Sequence, residues 1–85
     1  MIGKFAKSKA GHDKDRIYVI VSEDAEYVYL ADGRIRTAAT PKKKKKKHIQ
    51  PILTDSGALT AKLKAVQPVT DEEIKAAIKN GFDGK

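Results

Sequence analysis

Five consecutive apolar residues, Ile17-Tyr18-Val19-Ile20-Val21, constrain the fold of this chain more than any other stretch. Four of the five are β-branched, which suits an extended backbone. Side chains in a strand alternate between faces, so a run that is apolar at every position must be covered on both sides. The run is therefore predicted to be a central strand. Just ahead of it lies Ser8-Lys9-Ala10-Gly11-His12-Asp13-Lys14-Asp15-Arg16, dense in Gly, Asp and Lys. That composition reads as a tight loop delivering the chain into the strand. Gly11 lets the backbone bend where a side chain would clash.

The flanking segments read as further short strands. Gly3 to Ser8 alternates loosely and is predicted to be the first. The acidic stretch Ser22 to Glu26 reads as a solvated turn. Tyr27-Val28-Tyr29-Leu30-Ala31 alternates cleanly and runs into Asp32-Gly33, then Arg34-Ile35-Arg36-Thr37. Asp-Gly between alternating segments is a strong hairpin signal. A two-residue turn there pairs Leu30 with Ile35 and Tyr29 with Arg36. Val28, Leu30 and Ile35 then face the core. Tyr29, Arg34 and Arg36 face outward, either as an ordinary cross-strand pairing or as a surface for stacking and phosphate contact.

Six consecutive lysines follow: Lys42, Lys43, Lys44, Lys45, Lys46 and Lys47, with His48 at their end. Such a block repels itself and cannot be buried, so it is expected as a mobile loop or an extended edge. Residues 48–53 are the candidate for a last short strand, restricted by Pro51 to an edge or a strand end. The remainder reads as helical. Asp55 or Ser56 can cap a helix carrying Leu59, Leu63 and Val66, ended by Pro68. Thr70-Asp71-Glu72-Glu73 is a capping box, after which Ile74, Ala77 and Ile78 make one face. Gly81 fits a left-handed C-cap, with Phe82 folding back on Ala77.

The loop and the strand behind it resemble the KOW motif of ribosomal proteins and of transcription elongation factors of the NusG type. The matching residues are Gly11, Asp13 and Lys14, with the apolar strand Ile17 to Val21. The chain resembles small KOW proteins allied to large-subunit ribosomal proteins, over residues 3 to 36 and loosely beyond. The resemblance implies an SH3-like barrel whose loop contacts RNA or protein. One departure stands out: Asp15 occupies the place of the family's second glycine. Aspartate tolerates a left-handed backbone better than most residues, but its charge lowers the loop's attraction for phosphate. The expected fold is mainly β: an SH3-like KOW barrel over residues 1–53, including a Lys-rich loop at 42–47. Residues 54–85 form a helical extension packed on it.

Charge points to the partner. Residues 1–50 hold 13 Lys/Arg against 6 Asp/Glu, and residues 51–85 hold 5 against 5, so the whole excess of +7 sits in the first part of the chain. That asymmetry suggests a polyanion engaged there. Lysines supply point charges without base readout, so the surface should grip backbone. The candidate contacts are Lys9, Gly11, His12, Lys14 and Arg16 in the loop, Tyr29, Arg34 and Arg36 in the hairpin, and Lys42 to His48. RNA is the expected partner; the resemblance implies ribosomal RNA, with ribosomal or transcription proteins as further partners. A polybasic binder of an acidic protein or an anionic membrane surface is the alternative. Stable membrane anchoring needs a second, hydrophobic signal, and none is visible. Duplex DNA is weaker still, because no base-reading helix is apparent.

Catalysis is not expected. His12 and His48 lack metal-ligand spacing, there is no cysteine, and Asp13 and Asp15 are balanced by Lys14 and Arg16. No cofactor is expected either. No apolar run approaches the length of a membrane helix. The chain is expected to be a cytoplasmic monomer without membrane insertion.

Overall fold

In the computed structural model, residues 2–9, 11, 14–55 and 57–80 are described, residues 53–55 and 58 by their backbone alone. The apolar run opens β2 (Ile17–Glu23), the middle strand of a five-stranded antiparallel sheet ordered β4-β3-β2-β1-β5. Its neighbours are β1 (Lys4–Ser8) and β3 (Tyr27–Ala31). The edges are β4 (Lys42–Lys45) and β5 (Ile49–Asp55), joined by a single 3₁₀ turn, Lys46–His48. Two helices follow, α1 (Ala58–Lys64) and α2 (Asp71–Ile78). Register shifts between Ile20 and Ser22 and between Lys4 and Ala6 let the sheet curl into a half-barrel.

Both faces of β2 are covered, as its uninterrupted apolar character demands. Ala6, Tyr18, Ile20, Val28, Leu30 and Ile49 form the core inside the curl. On the other face, Phe5, Val19 and Ala31 pack against Leu59 of α1 and Ile74 of α2. Neither helix is long enough to persist alone. Full burial of Ile74 contributes roughly 1.5–3 kcal/mol relative to exposure. No helix among the described residues is long and apolar enough to cross a membrane.

The hairpin is not the one expected. Asp32 Oδ1 accepts the amides of Arg34 and Arg36 at 2.9 and 3.0 Å, and Asp32 and Gly33 donate their amides to the Arg36 carbonyl. These bonds consume the groups a returning strand would need, and residues 32–41 form a loop instead. Leu30 therefore pairs with Lys42, and Tyr29 with Lys43. Ile35 is 68% exposed and no part of the core. The lysine tract takes the extended-edge alternative. It is no loop at 42–47: four of its lysines form the edge strand and the other two open the 3₁₀ turn.

The helices follow the sequence in part. Thr70 caps α2 through the full capping box with Glu73. Helix α1 starts from Gly57 with no side-chain cap; Asp55 lies in β5, and Ser56 falls outside the described residues. Leu59 is buried, but Val66 lies beyond the end of α1 at φ +56° and is 90% exposed. The expected C-cap at Gly81 and Phe82 also falls outside the described residues.

Candidate nucleic-acid interface

The loop between β1 and β2 is held at its stem. The Ser8 amide donates to the Arg16 carbonyl at 3.1 Å, and the Asp15 amide donates to the Ser8 carbonyl at 2.9 Å. Gly11 and Asp15 both adopt left-handed backbone, with φ of +87° and +72°. An aspartate thus performs the backbone task for which glycine is the usual choice. Its carboxylate lies 3.6 Å from Lys7, an exposed pair worth little energetically. Lys9, Gly11, Lys14 and Arg16 are all exposed; His12 and Asp13 lie outside the described residues.

The structure joins this loop to the lysine tract. The Lys9 amide donates to the His48 carbonyl at 2.9 Å, which sets Lys9 beside the exposed Lys47 and His48. At its other end the 3₁₀ turn is tied to the β2–β3 connection: the Lys46 amide donates to the Glu26 carbonyl at 2.9 Å, and Lys46 Nζ lies 3.0 Å from Glu23 Oε1. That connection is itself shaped by Asp24, whose Oδ1 accepts the amides of Glu26 and Tyr27. Those two bonds, chiefly the one from Tyr27, hold the Asp24 carboxyl below its usual range.

Strand geometry divides the lysines of β4. Lys42 and Lys44 lie opposite Leu30 and Val28, on the inner face, and are half-buried. Lys44 Nζ reaches across to donate to Ser8 Oγ at 2.6 Å. Lys43 and Lys45 lie opposite Tyr29 and Tyr27 and are exposed. Lys43 Nζ sits 4.3 Å from the centre of the Tyr27 ring, a cation–π contact. One face of this edge therefore interleaves two tyrosines with two lysines.

Of the expected residues, Tyr29 divides itself between this face and other contacts, and Arg34 and Arg36 lie away from it. Tyr29 is half-buried; its hydroxyl donates to Asp24 Oδ2 at 3.3 Å, and its ring helps line a 550 Å³ recess with Val21, Pro41, Leu63 and Val69. Arg34 and Arg36 are exposed, but on the 32–41 loop and not across from Tyr29. The residue overlooked in the sequence is Tyr27, whose pairing with the lysine strand follows only from the true register. No protein-family model matches this chain, and no curated protein matches it with significance.

Proposed function

We propose that this protein is a non-catalytic RNA-binding module, associated with the ribosome or translation in the cytoplasm, that grips the RNA backbone through the Gly11 loop and the lysine tract. One observation carries the reading: the bond from the Lys9 amide to the His48 carbonyl brings the start of the loop beside the basic end of the tract. The lysines that face outward suit phosphate, and Tyr27 beside Lys43 offers a ring on which a base can stack. The strand order and the 3₁₀ turn before the last strand are compatible with an SH3-like KOW barrel. The left-handed Gly11 and Asp15 also fit the turn that such a motif needs.

The test is a salt titration against a structured RNA with a single-stranded flank. Phosphate contacts release counterions, giving a log–log slope of roughly −0.7 per contact on single strands, so four to six contacts give roughly −3 to −4. Replacing Lys43, Lys45 and Lys47 by serine should flatten the slope and weaken all RNA sequences about equally. Absence of RNA affinity at low salt would end this reading. Binding to anionic vesicles or to an acidic protein under the same conditions would then identify the partner class.

A further inference from the structure

A cleft of 450 Å³ opens where the start of β2, the 32–41 loop and the end of α2 meet. Four cationic side chains line it: Arg16, Arg34, Lys75 and Lys79. Asp32 is the one carboxylate in its lining among the described residues, and one of its oxygens is taken up by the amides of Arg34 and Arg36. Lys75 is paired with Glu72 at 2.9 Å on the exposed side of α2. Among the described residues, Arg16, Arg34 and Lys79 have no carboxylate partner. A concave site with an excess of positive charge focuses its field on an anion.

We infer that this cleft is a phosphate site for the RNA backbone, and that α2 is therefore part of the binding surface; the inference rests on the RNA reading above. Two arginines and two lysines from three elements suit phosphate. A guanidinium can present two parallel N–H donors to it, and an ammonium adds charge without directional demand. The arginines are held on fixed backbone. Arg34 is anchored through its amide to Asp32, and Arg16 through its carbonyl to Ser8. Ile17 and Ile78 supply the apolar part of the lining. Among the described residues, no aromatic ring and no side-chain amide lines the cleft, so its described lining grips phosphate and offers a base no partner. This argues for the backbone of a polymer over a free nucleotide. Arg16 belongs both to the stem of the Gly11 loop and to the cleft. A strand laid across Lys47, His48 and the Gly11 loop thus continues over Arg16 onto Lys75 and Lys79.

The experiment compares wild-type protein with Lys79→Gln, with Lys75→Gln/Lys79→Gln and with a control, Lys64→Gln. Lys64 and Lys79 are both exposed and lie at helix ends, so each single variant removes one charge of the same kind. Affinity for a fluorescent structured RNA is measured from low to high salt. Each lost contact should reduce the slope by about 0.7, which is about fivefold in affinity at 0.1 M relative to 1 M salt, and about 25-fold for the double variant. Lys64→Gln should match wild type. Cleft variants that bind like Lys64→Gln, while wild type retains steep salt dependence, would overturn this inference and leave the RNA reading intact. A wild type without RNA affinity would overturn both. In a parallel titration, pyrophosphate that protects the protein from RNA at micromolar concentration would make the cleft a small-anion site and also overturn the inference.

Discussion

Replacing Gly33 with alanine should destabilise the fold by more than its backbone conformation alone accounts for. Gly33 has φ +79°, and a Cβ there would stand 2.5 Å from the Asp71 carbonyl oxygen, 2.8 Å from Lys75 Cγ and 3.2 Å from the Lys75 amide nitrogen. Placing a non-glycine residue in left-handed backbone costs roughly 1–2 kcal/mol. The contact adds to this, because the Asp71 carbonyl belongs to the first turn of α2 and cannot swing aside. Helix α2 is pinned by the buried Ile74 and by a 2.8 Å bond from the Ala38 amide to Asp71 Oδ1. Overpacking of this kind costs about 1–3 kcal/mol. The sum is roughly 2–5 kcal/mol, which for a domain this size lowers Tm by roughly 10–30 °C. Thermal unfolding followed by circular dichroism measures the loss. Adding Lys75→Ala to Gly33→Ala removes the flexible obstacle but not the backbone one, and should recover less than half of the loss. A Gly33→Ala protein that loses no more than the roughly 1–2 kcal/mol of the backbone alone would refute the tight docking of loop 32–41 on α2.

Thr70→Ala should lower the urea midpoint by an amount equivalent to about 1 kcal/mol through loss of the capping box, and Thr70→Ser should restore most of it. Stability should also fall on acidification. The bond from Lys62, then that from the Thr70 amide, holds Glu73 below its ordinary value of 4.5, and the amides of Tyr27 and Glu26 hold Asp24 below 3.8. These carboxyls bind protons more weakly in the folded state than in the unfolded one. Their contribution is therefore complete above the ordinary values and is lost as pH falls through the depressed ones. Unfolding free energy measured from pH 6 downward should accordingly drop less steeply below about pH 4.5 in Glu73→Gln than in wild type.

Features settled by neighbouring residues were legible in the sequence. The doubly covered β2, the left-handed Gly11 and Asp15, the Asp24 turn and the Thr70–Glu73 box each depend on chemistry within a few positions. The expected β3 hairpin failed because two effects outweighed the Asp-Gly signal. The Asp32 carboxylate captured two amides of its own loop, and Gly33 docked against a helix far along the chain. Once residues 34–37 were lost to the loop, the next segment able to cover β3 was the lysine tract, which β-propensity alone would pass over. Val66 continues the apolar period of α1 on paper, yet the helix ends at Lys64 and the chain turns left-handed there. The cleft was the least legible feature. Lys75 and Lys79 read as the solvated side of a helix, and only tertiary packing sets Arg16 and Arg34 opposite them.

The lysine strand solves two problems with one alternation. An edge strand needs protection against pairing with another chain, and lysines supply it. A curled sheet also needs its inner core sealed at that edge. Lys42 and Lys44, half-buried opposite Leu30 and Val28, stand at that rim, and the Lys44 ammonium is carried to Ser8. The same two-residue period turns Lys43 and Lys45 outward beside the tyrosines. Six lysines on a disordered tail would each lose rotamer and backbone freedom on meeting a polyanion. On a paired strand the backbone share of that entropy has already been lost in folding. On the RNA reading proposed above, the arrangement trades reach for preorganisation: fewer phosphates would be touched, but each contact would be made by a side chain whose root is already fixed. The Gly11 loop stands at the end of the tract, where the strand's fixed charge gives way to glycine-dependent backbone.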